Sequence, residues 1–427
     1  MRIVGTKARR FRGTVGTPLL YSVGAVALGM AVPRFEAAFL PNLAAPIGVG
    51  PAIAILSSIA AGMLPLTGLV FSLAFVMVQF SATAYSPRLV TWFAGSTMMS
   101  HSLGVFTATF LYAVAALAWV DRGGTGKVPL LTAWFAIGLL LVSVVFFVLL
   151  AEKLAMLQIS RVLAYAGDQG RAVIARDYRP LGEGGLEAGG SAGDELPAER
   201  QVVLHRGGPA AIQAIDVPGL VALAGREGAV VAVAWAVGDT IIDGMPLLRV
   251  HGEGRPVPEH RLRRLVRLGP ERTFDQDPKY AIRILVDIAI KALSPAINDP
   301  TTAVQALDQV EDLLLRLGRA DLDAGRVRDE RGILRLVFPV PRWEDFLVLA
   351  FDEIRYCGAS SIQVMRRMRA LLEDLKENVP PQRRPALQRY LVRVDTGTRR
   401  AFEDGDDRKD ALEEDRQGLG LSREKQG

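Results

Sequence analysis

From Gly16 to Glu152 the chain is a succession of apolar runs with short links; beyond Glu152 the pattern turns charged and its periodicity shorter. Between Glu36 and Lys127 the only charged side chains are Glu36, Arg88, Asp121, Arg122 and Lys127. Crossing a hydrocarbon core of about 30 Å takes roughly 20 apolar residues of helix, so this third of the chain reads as polytopic. The runs predict four spans, at 18–32, 53–80, 103–120 and 128–150. The first is short and glycine-rich, which leaves a two-span hairpin with re-entrant pieces as the alternative. The second exceeds the core thickness, so it is expected to tilt, kink near Pro65 or project from the bilayer. Lys7 to Arg12 ahead of an apolar run imitates a signal peptide, but Pro33-Arg34 follows it instead of a small-residue cleavage site. That run is therefore expected to be a retained first span.

After the membrane domain, residues 1–160, the pattern predicts a helical extension and linker over 161–200, with glycine pairs at 184–185 and 189–190. Period-two alternation then gives strands at 201–204, 211–215, 228–233 and 247–250. The run Gly238-Asp239 through Gly244-Met245-Pro246-Leu247 has the look of a small barrel-sandwich module over 201–252. No lysine lies in that stretch to carry biotin or lipoate, so no cofactor is expected. Residues 253–325 hold a basic stretch, Arg255 to Arg272, and a pair of helices. A strand at 333–340 and long helices, one from Trp343 to about Asn378 and one over 383–402, fill 326–402. The charged tail 403–427 is expected to be disordered. The fold class is thus an α-helical polytopic membrane domain followed by an α+β region with a small β-barrel-sandwich-like module.

Charge fixes the expected orientation. Basic residues crowd the N-terminal tail and follow span four at Lys153 and Arg161, which places both termini on the cytoplasmic side. The net charge of +5 is modest for 427 residues and does not point to nucleic acid. The single cysteine, Cys357, reads as a small buried residue, and one thiolate with four scattered histidines matches no zinc motif.

Two stretches carry candidate chemistry. Span two and the link after it hold Ser57, Ser58, Thr67, Ser72, Gln79, Ser81, Thr83 and Arg88, a polar surface that suits a pore or gate. The competing structural reading is that the hydroxyls back-bond to the helix and the small residues serve close packing. The elbow Leu293 to Thr302 joins two helices, with Asp299 as N-cap and Pro300 at the first helical position. Asp287, Ser294, Asn298, Asp299, Thr301, Thr302 and Asp308 there are candidates for a small ion or ligand, set against a purely structural cap. The basic stretch 255–272 offers either an anionic surface a partner or a solvated face balanced by Glu259, Glu271, Asp275 and Asp277.

At this elbow the sequence becomes recognisable. Asp287 to Ala303, with its Ala-Leu-Ser-Pro-Ala-Ile-Asn-Asp-Pro core, joins Ser86-Pro87-Arg88, the Gly238 to Leu247 run and Gly269-Pro270-Glu271-Arg272-Thr273. Together they resemble a bacterial family catalogued as predicted membrane proteins of unknown function (domain of unknown function 2254), over roughly residues 10 to 395. The resemblance implies N-terminal spans and a soluble C-terminal part, in a bacterial inner membrane, and brings no activity with it. No nucleophile motif or phosphate-binding loop is present. The leading expectation is an oligomeric ion channel or passive pore with a cytoplasmic regulatory part; a membrane-anchored scaffold or sensor is the alternative, and a metal-dependent enzyme a third. Expected partners are the lipid bilayer, further copies of the chain and a small ion.

Overall fold

The computed structural model describes residues 8–39, 48–80, 97–120, 128–155, 158–181, 195–323 and 325–420. Ser81, Thr83 and Arg88 of the polar link lie outside the described residues. The chain divides into two compact units, residues 1–158 and 159–427.

In the first unit, four helices are long and apolar enough to cross a membrane. They are α1 (Ala8–Phe39), α2 (Val49–Phe80), α3 (Thr97–Leu117) and α4 (Leu130–Ala155). α3 is the centre of the bundle: 56% of its span is buried, against 17% for α1 and α4 and 28% for α2. Small residues explain that position, since in lipid they let backbones approach where apolar burial alone gives no preference. A Cβ on Gly29 of α1 would fall 2.7 Å from that of Ala115, and one on Gly104 would meet the Tyr21 ring at 2.9 Å. Phe106, Tyr112, Ala113 and Ala116 of α3 are wholly buried.

Most polar groups inside this bundle find partners, as a medium without water favours, although the buried Thr132 hydroxyl has none among the described residues. Thr109 and Ser143 bond each other at 2.9 Å across α3 and α4, and each also reaches a helix carbonyl. Glu36, buried near the end of α1, turns its carboxylate to the N–H groups of Leu131 and Thr132 and so caps α4 from a different helix. α1 therefore runs well past the short span expected at 18–32.

The second unit opens with α5 (Ile159–Asp177), which meets the later helices through Gly167 and Gly170. Its strands are β1 (Glu199–Leu204), β2 (Ala210–Ile215), β3 (Val230–Val233), β4 (Thr240–Ile241), β5 (Pro246–His251), β6 (Val266–Gly269), β7 (Arg326–Arg328) and β8 (Leu334–Val337). They form an open five-stranded sheet, β1-β5-β3-β8-β7, and an open three-stranded one, β4-β2-β6. The barrel-sandwich module expected over 201–252 is therefore wrong. Its strands are present, but β3 pairs in parallel with β8, and β2 pairs with β6, so the partners come from outside the stretch and neither sheet closes. A helix the alternation concealed, α6 (Val217–Arg226), is capped by Asp216 and packs against β3 and β8. Ile212, Leu220, Val231, Ile241, Leu248 and Leu336 share the resulting core.

Further helices follow: α7 (Glu259–Arg263), α8 (Pro278–Ala292), α9 (Pro300–Gly318), α10 (Trp343–Cys357), α11 (Ile362–Asn378), α12 (Arg384–Ala401) and α13 (Gly405–Leu412). The single long helix expected from Trp343 to Asn378 is two. Gly358 ends α10, and the Ser361 side chain accepts from the Val364 N–H to start α11. The apolar stripe carries across the break, with Phe351, Ile354, Met365, Met368 and Leu372 all buried. Cys357, expected to be buried, is exposed. In the tail, expected to be disordered, α13 forms and Arg366 of α11 reaches Asp410 and Glu413.

Two of the recognisable sequence pieces meet at one buried carboxylate. Asp277 caps α8 by accepting the Tyr280 N–H, and Arg272 donates to it at 2.9 Å. Burial raises the Asp277 carboxyl above its ordinary pKa, against the pull of Arg272 and Lys279. Gly238 lies against it at φ +92°, where a Cβ would fall 2.2 Å from Oδ2. Both the left-handed backbone and the missing space demand glycine here. Gly238→Ala is expected to cost roughly 1–3 kcal/mol of stability from backbone strain alone, read as a lower unfolding temperature of the purified full chain.

Candidate functional site

α2 packs on α3 through Ala52, Leu56, Ile59, Ala60, Met63 and Val70, all buried. At 100° per residue these six cluster on one side of the helix. The opposite side, exposed throughout, carries Ser57, Ser58, Gly62, Gly68, Ser72 and Gln79. Thr67, half-buried between the faces, donates to the Met63 carbonyl at 2.7 Å, as the structural reading of span two requires. The hydroxyls of Ser57, Ser58 and Ser72 make no hydrogen bond to a described residue. Pro65 lies on the same exposed face, where its missing N–H breaks the helix ladder. Large apolar side chains share this face as well as flank it: Leu69, Phe75 and Val76 lie among the polar positions, with Leu64 and Phe71 to one side and Ile55 to the other, all exposed. The small polar residues are therefore set within surface that suits lipid and turn away from α3.

The elbow in the second unit is built differently. Asn298 is the only non-glycine among the described residues with positive φ, at 49°. That turn is held by Asn298 N–H to the Ser294 carbonyl and Asp299 N–H to the Ala292 carbonyl, both at 2.8 Å. Asparagine tolerates this conformation better than most residues. Asp299 then accepts from the Thr302 N–H at 3.1 Å and from its hydroxyl at 2.6 Å. Pro300 follows at the first helical position, as the sequence predicts.

The remaining elbow candidates do not converge. Asp287 is bound by Arg283, which also grips Glu353 through two bonds of 2.7 Å. Asp308 accepts from Arg367 at 2.8 Å, on the face of α9 that meets α11. Thr301 is exposed while Thr302 is buried, and Ser294 serves the turn through its carbonyl. Only Asp299 and Thr302 are brought together. Among the described residues, no three His, Cys, Asp or Glu side chains are grouped to hold a metal ion.

Sequence reasoning passed over the Asp277 junction, the Glu36 cap and Arg367, a nearly buried guanidinium shared by Asp308 and Glu311. One signal for the first was available. Asp277-Pro278 repeats the Asp299-Pro300 dipeptide at the start of the preceding helix, and both aspartates prove to be N-caps.

Comparison with known proteins places these features in context. A family model described as "Predicted membrane protein (DUF2254)" matches residues 14–374, so it takes in both the bundle and the elbow. The uncharacterized proteins Mb1321c of Mycobacterium bovis and Rv1290c of Mycobacterium tuberculosis are similar to this chain. Each is 27% identical over 369 residues, covering 84% of this chain and 70% of the relative. No solved structure matches.

Removing the elbow cap by Asp299→Ala is expected to cost about 1 kcal/mol, the usual value of an N-cap. Asp299→Asn, which can still accept from Thr302, is expected to lose much less; thermal unfolding of the full chain measures both.

Proposed function

This chain belongs to the DUF2254 family of predicted membrane proteins, and from that premise we propose that it acts as an oligomeric pore whose wall is the outer face of α2. The observation that supports this reading is the set of Ser57, Ser58 and Ser72 hydroxyls on the side of α2 turned away from α3. A hydroxyl left without a partner in hydrocarbon costs several kcal/mol, so this face calls for water or another protein surface. Closed rotational symmetry satisfies both, because it sets equivalent α2 faces around a shared axis. The strip holds no carboxylate or ammonium, so a pore so lined selects by size and hydrogen bonding rather than by a charged ring. The distribution of basic residues supports an orientation with both termini on the cytoplasmic side of a bacterial inner membrane.

The wall is tested in a cysteine-free background made by Cys357→Ser. Ser72→Cys is expected to form disulfide-linked dimers between copies in the membrane, whereas Met63→Cys on the buried face gives none. Purified protein in liposomes is expected to pass small ions or polar solutes, and Ser57→Leu with Ser72→Leu is expected to abolish the flux. Absence of both cross-links and flux in the wild-type background would overturn the pore and favour an anchored scaffold.

Orientation has its own measurement. Because Cys357 is the only cysteine and is exposed, a membrane-impermeant maleimide is expected to label it only after the inner membrane is opened. Labelling in intact spheroplasts would reverse the topology.

A further inference from the structure

The basic stretch Arg255 to Arg272 separates, in the structure, into two parts. Arg267 and Arg272 are spent internally on Asp275 and Asp277. The earlier part lies along β1, an edge strand of the five-stranded sheet. Gln201 exchanges two hydrogen bonds of 2.8 Å with the backbone of Val257. Arg200 donates to the Glu253 carbonyl and Arg263 to the Leu204 carbonyl, so residues 253–263 follow the strand from one end to the other. This arrangement puts Arg255, Arg261 and Arg264 on the same edge as Arg206, two residues beyond the Leu204 contact.

All four of these arginines are exposed, and none has an ion pair with a described residue. Four acidic side chains lie close. Glu199, at the start of β1, is taken by Arg249, Glu259 is taken by Arg263 at 2.9 Å, Asp243 accepts the Gly207 N–H at 2.9 Å, and Glu253 is exposed. With Arg200, Arg249 and Arg263 counted, seven arginines face four carboxylates along one sheet edge. Folding does not use Arg206, Arg255, Arg261 or Arg264: the segment is held by the Arg200 and Arg263 side chains on backbone carbonyls, by the Gln201 amide and by buried Val257 and Leu262.

We propose that this edge docks on anionic phospholipid headgroups. A guanidinium presents a planar fork of donors that matches phosphate oxygens, and an anionic leaflet attracts basic clusters on any segment tethered close to it. The tether is present, since the same chain carries four apolar helices long enough to span a bilayer. This inference is independent of conduction.

The test is hydrogen exchange on the full-length protein in nanodiscs. Amides 203–207 and 254–265 are expected to exchange more slowly in discs containing phosphatidylglycerol than in pure phosphatidylcholine. The protection should vanish in salt of about 1 M, where the screening length falls to about 3 Å. Arg261→Gln is expected to raise the phosphatidylglycerol fraction needed for half-protection about fivefold, the weight of one basic residue at such a surface. Exchange in α9 serves as the control for folding. Equal exchange of wild type in both lipids would overturn the proposal, and so would equal protection from inorganic phosphate added to phosphatidylcholine discs, which would assign the edge to a free anion.

Discussion

A polar group in hydrocarbon must be paired, and that constraint orders the membrane unit more than any apolar contact does. It is why the Glu36 carboxylate reaches across to the first N–H groups of α4, and why Thr109 and Ser143 meet between α3 and α4. Tyr112, wholly buried, likewise gives its hydroxyl to the Thr132 carbonyl. Set beside these, the outer face of α2 is the exception. The rule that makes the bundle coherent is the same rule that sets this face apart.

The second unit obeys a related rule with different means. Its buried charges are paired, as with Arg283 between Asp287 and Glu353, or Arg367 between Asp308 and Glu311. Its two Asp-Pro dipeptides each stop the chain from continuing a preceding segment and start a new helix with its first N–H groups satisfied. Asp277 does more than cap. Because Gly238 and Arg272 both press on it, the turn before β4 and the chain leaving β6 are fixed to the start of α8. The sheets and helices of this unit are thereby one construction rather than two modules joined by a linker.

Features decided within one or two helical turns were legible in the sequence. The four apolar helices, the Asp299 cap, the proline that follows it and most strand positions come from local spacing and chemistry. What could not be read depends on partners far along the chain. Residues 201–252 look self-sufficient, yet β3 finds β8 some hundred positions later, and alternation alone does not announce that. The break at Gly358 hides because the apolar stripe continues through it. Gly167 and Gly170, whose type lowers helix propensity, are contact points: a Cβ at the second would meet Leu313 at 2.8 Å. Of the span-two residues that the sequence singled out, the split between a back-bonded Thr67 and open Ser57, Ser58 and Ser72 required three-dimensional placement.

The central position of α3 has a bearing on how the protein is made. α1 and α2 each pack on α3 far more than on one another, yet both leave the ribosome before it. Neither can bury Gly29 or the Ala52 to Val70 face until the third has been made. Assembly of the bundle is thus timed by translation of residues 97–117, and a pause in that stretch would prolong the interval in which the first two can find the wrong companion.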